Sequence, residues 1–147
     1  MDNYGLGAII AFVCGWFLAQ TGKLIGDMVS SRRTLTWRQI VDCFVRSGGM
    51  PSGHTASFVA LITYFAIKNG LFANITVLAL AMGIIVIYDA VNVRYAVGEQ
   101  GKILNLMAAD YKVKGKKVKI VEGHTIPQVI VGGLIGLLIG SMTGFLL

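Results

Sequence analysis

Four stretches of the chain carry no Asp, Glu, Lys or Arg: Asn3–Gly22, Ser47–Ile67, Asn69–Tyr88 and Gly123–Leu147. A bilayer core about 30 Å thick asks for about 20 apolar residues in a helix. The first, third and fourth stretches meet that length. The second opens on Gly, Pro and His, which confines its strongly apolar part to Ala56–Ile67. The pattern predicts an all-α fold: a small polytopic membrane helix bundle of about four transmembrane helices, the second short or partly re-entrant. Residues 1–147 are expected to form a single membrane-embedded domain with loops at 23–46 and 94–122. No Lys or Arg precedes Lys23, so the first stretch lacks the basic n-region of a signal peptide and reads as a retained helix.

Within these stretches small residues recur with helical spacing. Ala11, Gly15, Ala19 and Lys23 share one face of the first helix, and Gly132, Gly136, Gly140 and Gly144 share one face of the last. Such stripes let helix backbones approach closely in lipid. They are expected to pack inside the bundle or, for the last helix, to form the seam of a homodimer. Lys23 either carries the packed stripe of the first helix into the mouth of the bundle or snorkels to the headgroups.

Composition agrees with a membrane setting. The 147 residues are 55% hydrophobic and 14% charged, where a soluble domain carries about a quarter charged residues. The net charge of +6 does not point to nucleic acid once the hydropathy is considered. All of the 13 basic residues but Lys68 fall within Lys23–Arg46 and Arg94–Glu122. With four spans both segments lie on one side, which the positive-inside rule makes the cytoplasm. The expectation is a multi-pass protein of the cell (inner) membrane with both termini outside. The run Lys112–Lys119 reads as a solvated loop near anionic headgroups. Cys14 falls in the first helix and Cys43 in a loop, which suggests neither a disulfide nor a metal motif.

The only two histidines stand at helix starts on that same side. In Pro51-Ser52-Gly53-His54, Ser52 is a candidate N-cap, and Gly48, Gly49 and Gly53 permit close backbone approach. Exposed N–H groups in the first turn favour an anion such as phosphate. His124 precedes the last helix, where Thr125 and Gln128 form a candidate capping box. Each turn also has a plain structural reading, as a capped helix start with an interfacial histidine. Their pairing among basic residues favours chemistry. Asp89 and Arg94 close the third helix. Asp89 could orient a histidine or pair with Arg94 or Lys23, and Arg94 could grip phosphate oxygens in a fork.

These residues resemble the superfamily of type 2 phosphatidic acid phosphatases and vanadium-dependent haloperoxidases, and in particular its small, divergent bacterial branch. That superfamily shows the motifs KxxxxxxRP, PSGH and SRxxxxxHxxxDVxxGxxxG. Pro51–His54 matches the second, and His124-xxx-Gln128-Val129-xx-Gly132-xxx-Gly136 matches the end of the third, with Gln where the pattern has Asp. No Arg-Pro follows Lys23 at the pattern's spacing; Arg32, Arg33 or Arg46 would supply that charge. Arg94 lies thirty residues before His124, so the basic segment reads as an insertion, and a rival alignment puts Gln100 at the histidine position. The resemblance implies a membrane phosphatase acting on a phospholipid monoester of the phosphatidylglycerophosphate or phosphatidate type. It makes His124 the nucleophile of a phosphohistidine intermediate and His54 the acid that protonates the leaving group. Lys23, Ser52, Gly53 and Arg94 would bind the phosphate, and Asp89 or Glu99 could stand in for the missing carboxylate. Lysine and arginine supplying the charge, no cofactor or metal is called for. The alternative is a non-catalytic descendant that binds anionic lipid.

Overall fold

The computed structural model describes residues 3–31, 36–45, 48–111, 115, 117–120 and 123–147. Arg32, Arg33 and Arg46, the three candidates for the additional charge, lie outside the described residues. The described residues form six α-helices in order: α1 (Asn3–Ser31), α2 (Trp37–Val45), α3 (Gly53–Asn69), α4 (Asn74–Tyr88), α5 (Arg94–Asp110) and α6 (Ile126–Leu146). A π-helical turn, Asp89–Val93, joins α4 to α5. No strand occurs among the described residues.

Among the described residues, three helices are long and apolar enough to cross a membrane: Tyr4–Ser30, the continuous Asn74–Asp110 and Ile126–Leu146. The expected second span is α3. Its 17 residues extend about 25 Å at the usual helical rise, short of a full crossing. Of the four expected spans, three have spanning length among the described residues and α3 falls short of it. The segments expected as loops are largely helical. The first helix runs past Lys23 to Ser31, α2 fills most of the interval before α3, and α5 covers Arg94–Asp110. Cys43 accordingly lies in α2, not in a loop.

α3 is the axis of the bundle. α1 runs antiparallel to it, with Gly7 beside the Tyr64 ring at one end and Gly22 beside Pro51 at the other. The Tyr64 hydroxyl donates to the Tyr4 carbonyl at 3.1 Å. α6 runs parallel to α3, matching Gly132 to Ser52, Gly136 to Ala56, Gly140 to Ala60 and Gly144 to Ile67. A Cβ at Gly136 would lie 2.6 Å from the Ala56 carbonyl oxygen, and one at Gly132 2.5 Å from that of Ser52. Lipid supplies little hydrophobic drive between helices, so close packing of this kind holds the bundle. The glycine stripe of α6 is therefore consumed within the chain. It faces α3, and a homodimer seam through Gly132, Gly136, Gly140 and Gly144 is not available to a second copy. The α1 stripe packs likewise: Gly15 abuts the Ala56 carbonyl oxygen and Ala60, and Ala11 and Ala19 are fully buried. Outward positions such as Ile84, Ile85, Leu137 and Leu138 remain exposed and apolar, as a lipid-facing surface requires.

The start of α1 and the end of α6 lie at the same end of the bundle. The C-terminal part of α1, the starts of α3 and α6 and the π turn meet at the other.

Candidate active site

The two histidine turns converge at that second end. Gly48 and Gly49 have φ of 95° and 79°, left-handed values that suit glycine, and they turn the chain toward α3. Ser52 caps α3: its Oγ accepts from Thr55 N at 3.4 Å and from the Thr55 hydroxyl at 3.0 Å. Ser52 N donates to the Gln128 carbonyl at 3.0 Å, which ties the start of α3 to the start of α6. Ser52 is fully buried, and its hydroxyl and N–H are both engaged. It shapes the turn, and the donors left for an anion are the first-turn N–H groups of Gly53 and His54.

His124 arrives by an excursion. α5 continues outward from the π turn, and the chain then returns along it. Asn105 bonds Val118 twice, donating to its carbonyl at 3.0 Å and accepting from its N–H at 2.9 Å. Gly123 packs directly on the Tyr95 backbone, where no Cβ would fit. His124 N donates to the Ala90 carbonyl of the π turn at 2.9 Å. The thirty-residue interval therefore closes on itself and sets His124 beside the Asp89–Arg94 turn. Gln100, the rival, is exposed on α5.

The rings of His54 and His124 lie edge to face with centroids 6.0 Å apart. In-line displacement needs about 3 Å on either side of the reacting group, so this separation is on the scale of one phosphoryl group. His124 is 2% exposed. Its Nδ1 lies 3.1 Å from Gln128 Oε1, which also accepts from Thr125 N at 3.1 Å. A backbone N–H only donates, so the atom facing both is the amide oxygen, and Nδ1 must carry the proton. The lone pair of neutral His124 then sits on Nε2, which is buried and has no hydrogen-bond partner. Burial pushes the His124 pKa below its usual value, and the positive charges of Lys23 and Arg94 act in the same direction. The Gln128 bond and the nearby Gly49 backbone oppose the shift; Gly49 lies outside hydrogen-bond geometry to Nε2.

Lys23 is 7% exposed, and its side chain passes Gly49, with Cδ 3.7 Å from where a Cβ would stand. It thus continues the α1 stripe into the site. Asp89 Oδ2 pairs with Arg94 Nε at 2.5 Å, so Asp89 holds Arg94, not a histidine. The bond uses Nε and leaves the terminal nitrogens of the guanidinium fork. Glu99 pairs with Lys102 at 2.7 Å. Neither carboxylate replaces the missing Asp; Gln128 itself does. A polar cavity of about 300 Å³ opens beside Gln128, lined also by Gly49, Tyr95, Gly98, Glu99 and Gly123. An apolar groove of about 390 Å³, with Ile84, Ile87, Val91, Ile126 and Val129, lies between α4, the π turn and α6.

Sequence reasoning missed Gln20, Ala90 and the Tyr95–Gly123 closure. None belongs to a motif. The one trace in the sequence is that Gln20 precedes Lys23 by one helical turn on the same face.

This chain is a membrane protein of the Divergent PAP2 family, whose family model matches residues 6–139. Among curated proteins it is similar to the uncharacterized membrane protein YuiD of Bacillus subtilis (strain 168), with 30% identity over 154 residues, covering 95% of this chain and 92% of the relative. No solved structure matches it.

Proposed function

We propose that the protein is a lipid-phosphate phosphatase hydrolysing a phosphomonoester of the phosphatidylglycerophosphate or phosphatidate type. The observation that carries this reading is the buried, unpartnered Nε2 of His124, fixed as a lone-pair donor by Gln128, in a ring whose centroid lies 6.0 Å from that of His54. His124 Nε2 attacks phosphorus; the P–N bond forms as the ester P–O bond breaks, and His54 gives its proton to the leaving alkoxide. Water then attacks the phosphohistidine, losing a proton to His54, and the P–N electron pair returns to Nε2 as inorganic phosphate leaves. Lys23, Arg94 and the Gly53 and His54 N–H groups neutralise the phosphoryl oxygens, the main demand of phosphoryl transfer.

The polar cavity and apolar groove flanking the site suit an amphiphile. The basic segments at this end of the bundle favour a cytoplasmic site in the cell membrane, with both termini outside. A cysteine introduced at Ser47 should then resist an impermeant thiol reagent added to intact cells, and labelling from outside overturns the orientation. Purified protein should release phosphate from these lipids, be inhibited by vanadate as a transition-state mimic, and lose release on His124→Ala. The second reading, an anionic-lipid-binding protein without catalysis, draws on Gln128 standing where Asp is expected. Unchanged background release in wild type and His124→Ala alike would favour it.

A further inference from the structure

Two buried side-chain polar atoms among the described residues have no hydrogen-bond partner: His124 Nε2 and Gln20 Oε1. The first is the nucleophile of the proposed reaction. The second has no part in it. Gln20 is 4% exposed and lies in α1 one turn before Lys23, on the same face. Its Nε2 donates to the Phe44 carbonyl at 2.9 Å. A carbonyl only accepts, so the bonded atom is the amide nitrogen and Oε1 is turned the other way. The amide lies beside Gly53, the first residue of α3: a Cβ built there would lie 3.8 Å from Gln20 Cδ and 3.9 Å from Oε1. Gln20 thus holds a bare acceptor beside the first residue of α3.

The remaining groups offered to the phosphoryl oxygens are donors: the Lys23 ammonium, the Arg94 guanidinium and the first-turn N–H groups. A donor-only site takes any tetrahedral oxyanion. One buried acceptor changes that, because an unmatched acceptor facing an anion's lone pairs is costly. It is satisfied only by an oxygen that bears hydrogen. We propose that Gln20 Oε1 accepts a hydrogen bond from a protonated oxygen of the bound phosphoryl group. The site then takes a phosphomonoester as its monoanion and separates inorganic phosphate, which carries a proton, from sulfate, which does not. This deepens the phosphatase reading and rests on its phosphate site. A monoester loses its last proton near pH 6, so the monoanion is accessible close to neutrality.

The test is equilibrium dialysis of radiolabelled phosphate against the full chain in detergent at about pH 6.5, with sulfate as competitor. Wild type should prefer phosphate by about ten- to a hundredfold, the usual worth of a buried hydrogen bond to a charged group. Gln20→Met, which removes the acceptor, should bring the two anions within about twofold. Gln20→Glu keeps an acceptor but forfeits the donor to Phe44, and should keep the preference. If Gln20 serves only to tie α1 to α2, both variants weaken both anions alike and leave the ratio intact, which overturns the inference. Equal affinity of wild type for the two anions overturns it as well, while leaving the phosphate site standing. Wild type that binds neither anion removes the phosphate site itself.

Discussion

The starts of α3 and α6 lie side by side and carry one histidine each, yet they hold them in opposite ways. His54 is inside the first turn of α3, partly exposed, with the ring of His124 as its neighbour. His124 stands before α6, buried, with its backbone tied to Ala90 and its ring to Gln128. A nucleophile needs a fixed lone pair and a known tautomer. A residue that gives a proton and then takes one back needs contact with solvent and freedom to titrate. The difference in burial and bonding is what the proposed roles, nucleophile for His124 and acid for His54, rest on.

The largest effect comes from removing each ring in turn. His124→Ala should abolish release from every phosphomonoester. His54→Ala should cost about 10²–10⁴-fold with a lipid alkoxide, the usual worth of general acid catalysis. It should cost far less in the first step with p-nitrophenyl phosphate, whose leaving group needs no proton. The burst of phosphoenzyme formation on both substrates decides this, and equal losses for the two variants in the burst on the aryl ester would erase the distinction.

A smaller effect follows from parting the two helix starts. Gly136→Ala drives a Cβ against the Ala56 carbonyl and Ala60 N, backbone that cannot yield. Gly144→Ala meets only the Ile67 side chain, nearest at 2.9 Å. Gly136→Ala should destabilise by about 1–3 kcal/mol, as overpacking does, and Gly144→Ala by less. Thermal unfolding in detergent, read with the rate of phosphate release, compares them; an equal response would count against the close seam.

The smallest effect concerns pH. His124 is the neutral nucleophile above its pKa, which burial lowers, so activity should persist into mildly acidic solution and fall as pH drops through that value. Gln128→Asp places a carboxylate on Nδ1, which favours the imidazolium and raises the pKa. The acidic limb of the rate profile should then move to higher pH, by about one unit. A limb that stays in place would mean that His124 does not set it.

Much of the site was legible in the sequence because helical spacing carries it. The stripes ending at Lys23 and beginning at Gly132 fix which faces meet α3, and the paired helix starts bring the histidines together. What was not legible lies where spacing stops. The charges after Lys23 suggested a loop, whereas α1 continues because helical propensity does not require an apolar face there. The return of the chain along α5 depends on Asn105 bonding Val118 across thirteen positions, which no local pattern announces. Asp89 had two open readings, and only geometry chose Arg94. Gln20 is an amide in an apolar helix; its meaning appears only with its burial and its bond to α2.

The parallel run of α3 and α6 has one more consequence. Neighbouring antiparallel helices cancel each other's dipoles, but these two point the same poles at the same place, so their positive ends repel across the Ser52–Gln128 contact. An anion seated between the helix starts would offset that repulsion. Occupancy and the tightness of the glycine seam are then two readings of one quantity, and the protein should gain stability with phosphate concentration as mass action requires.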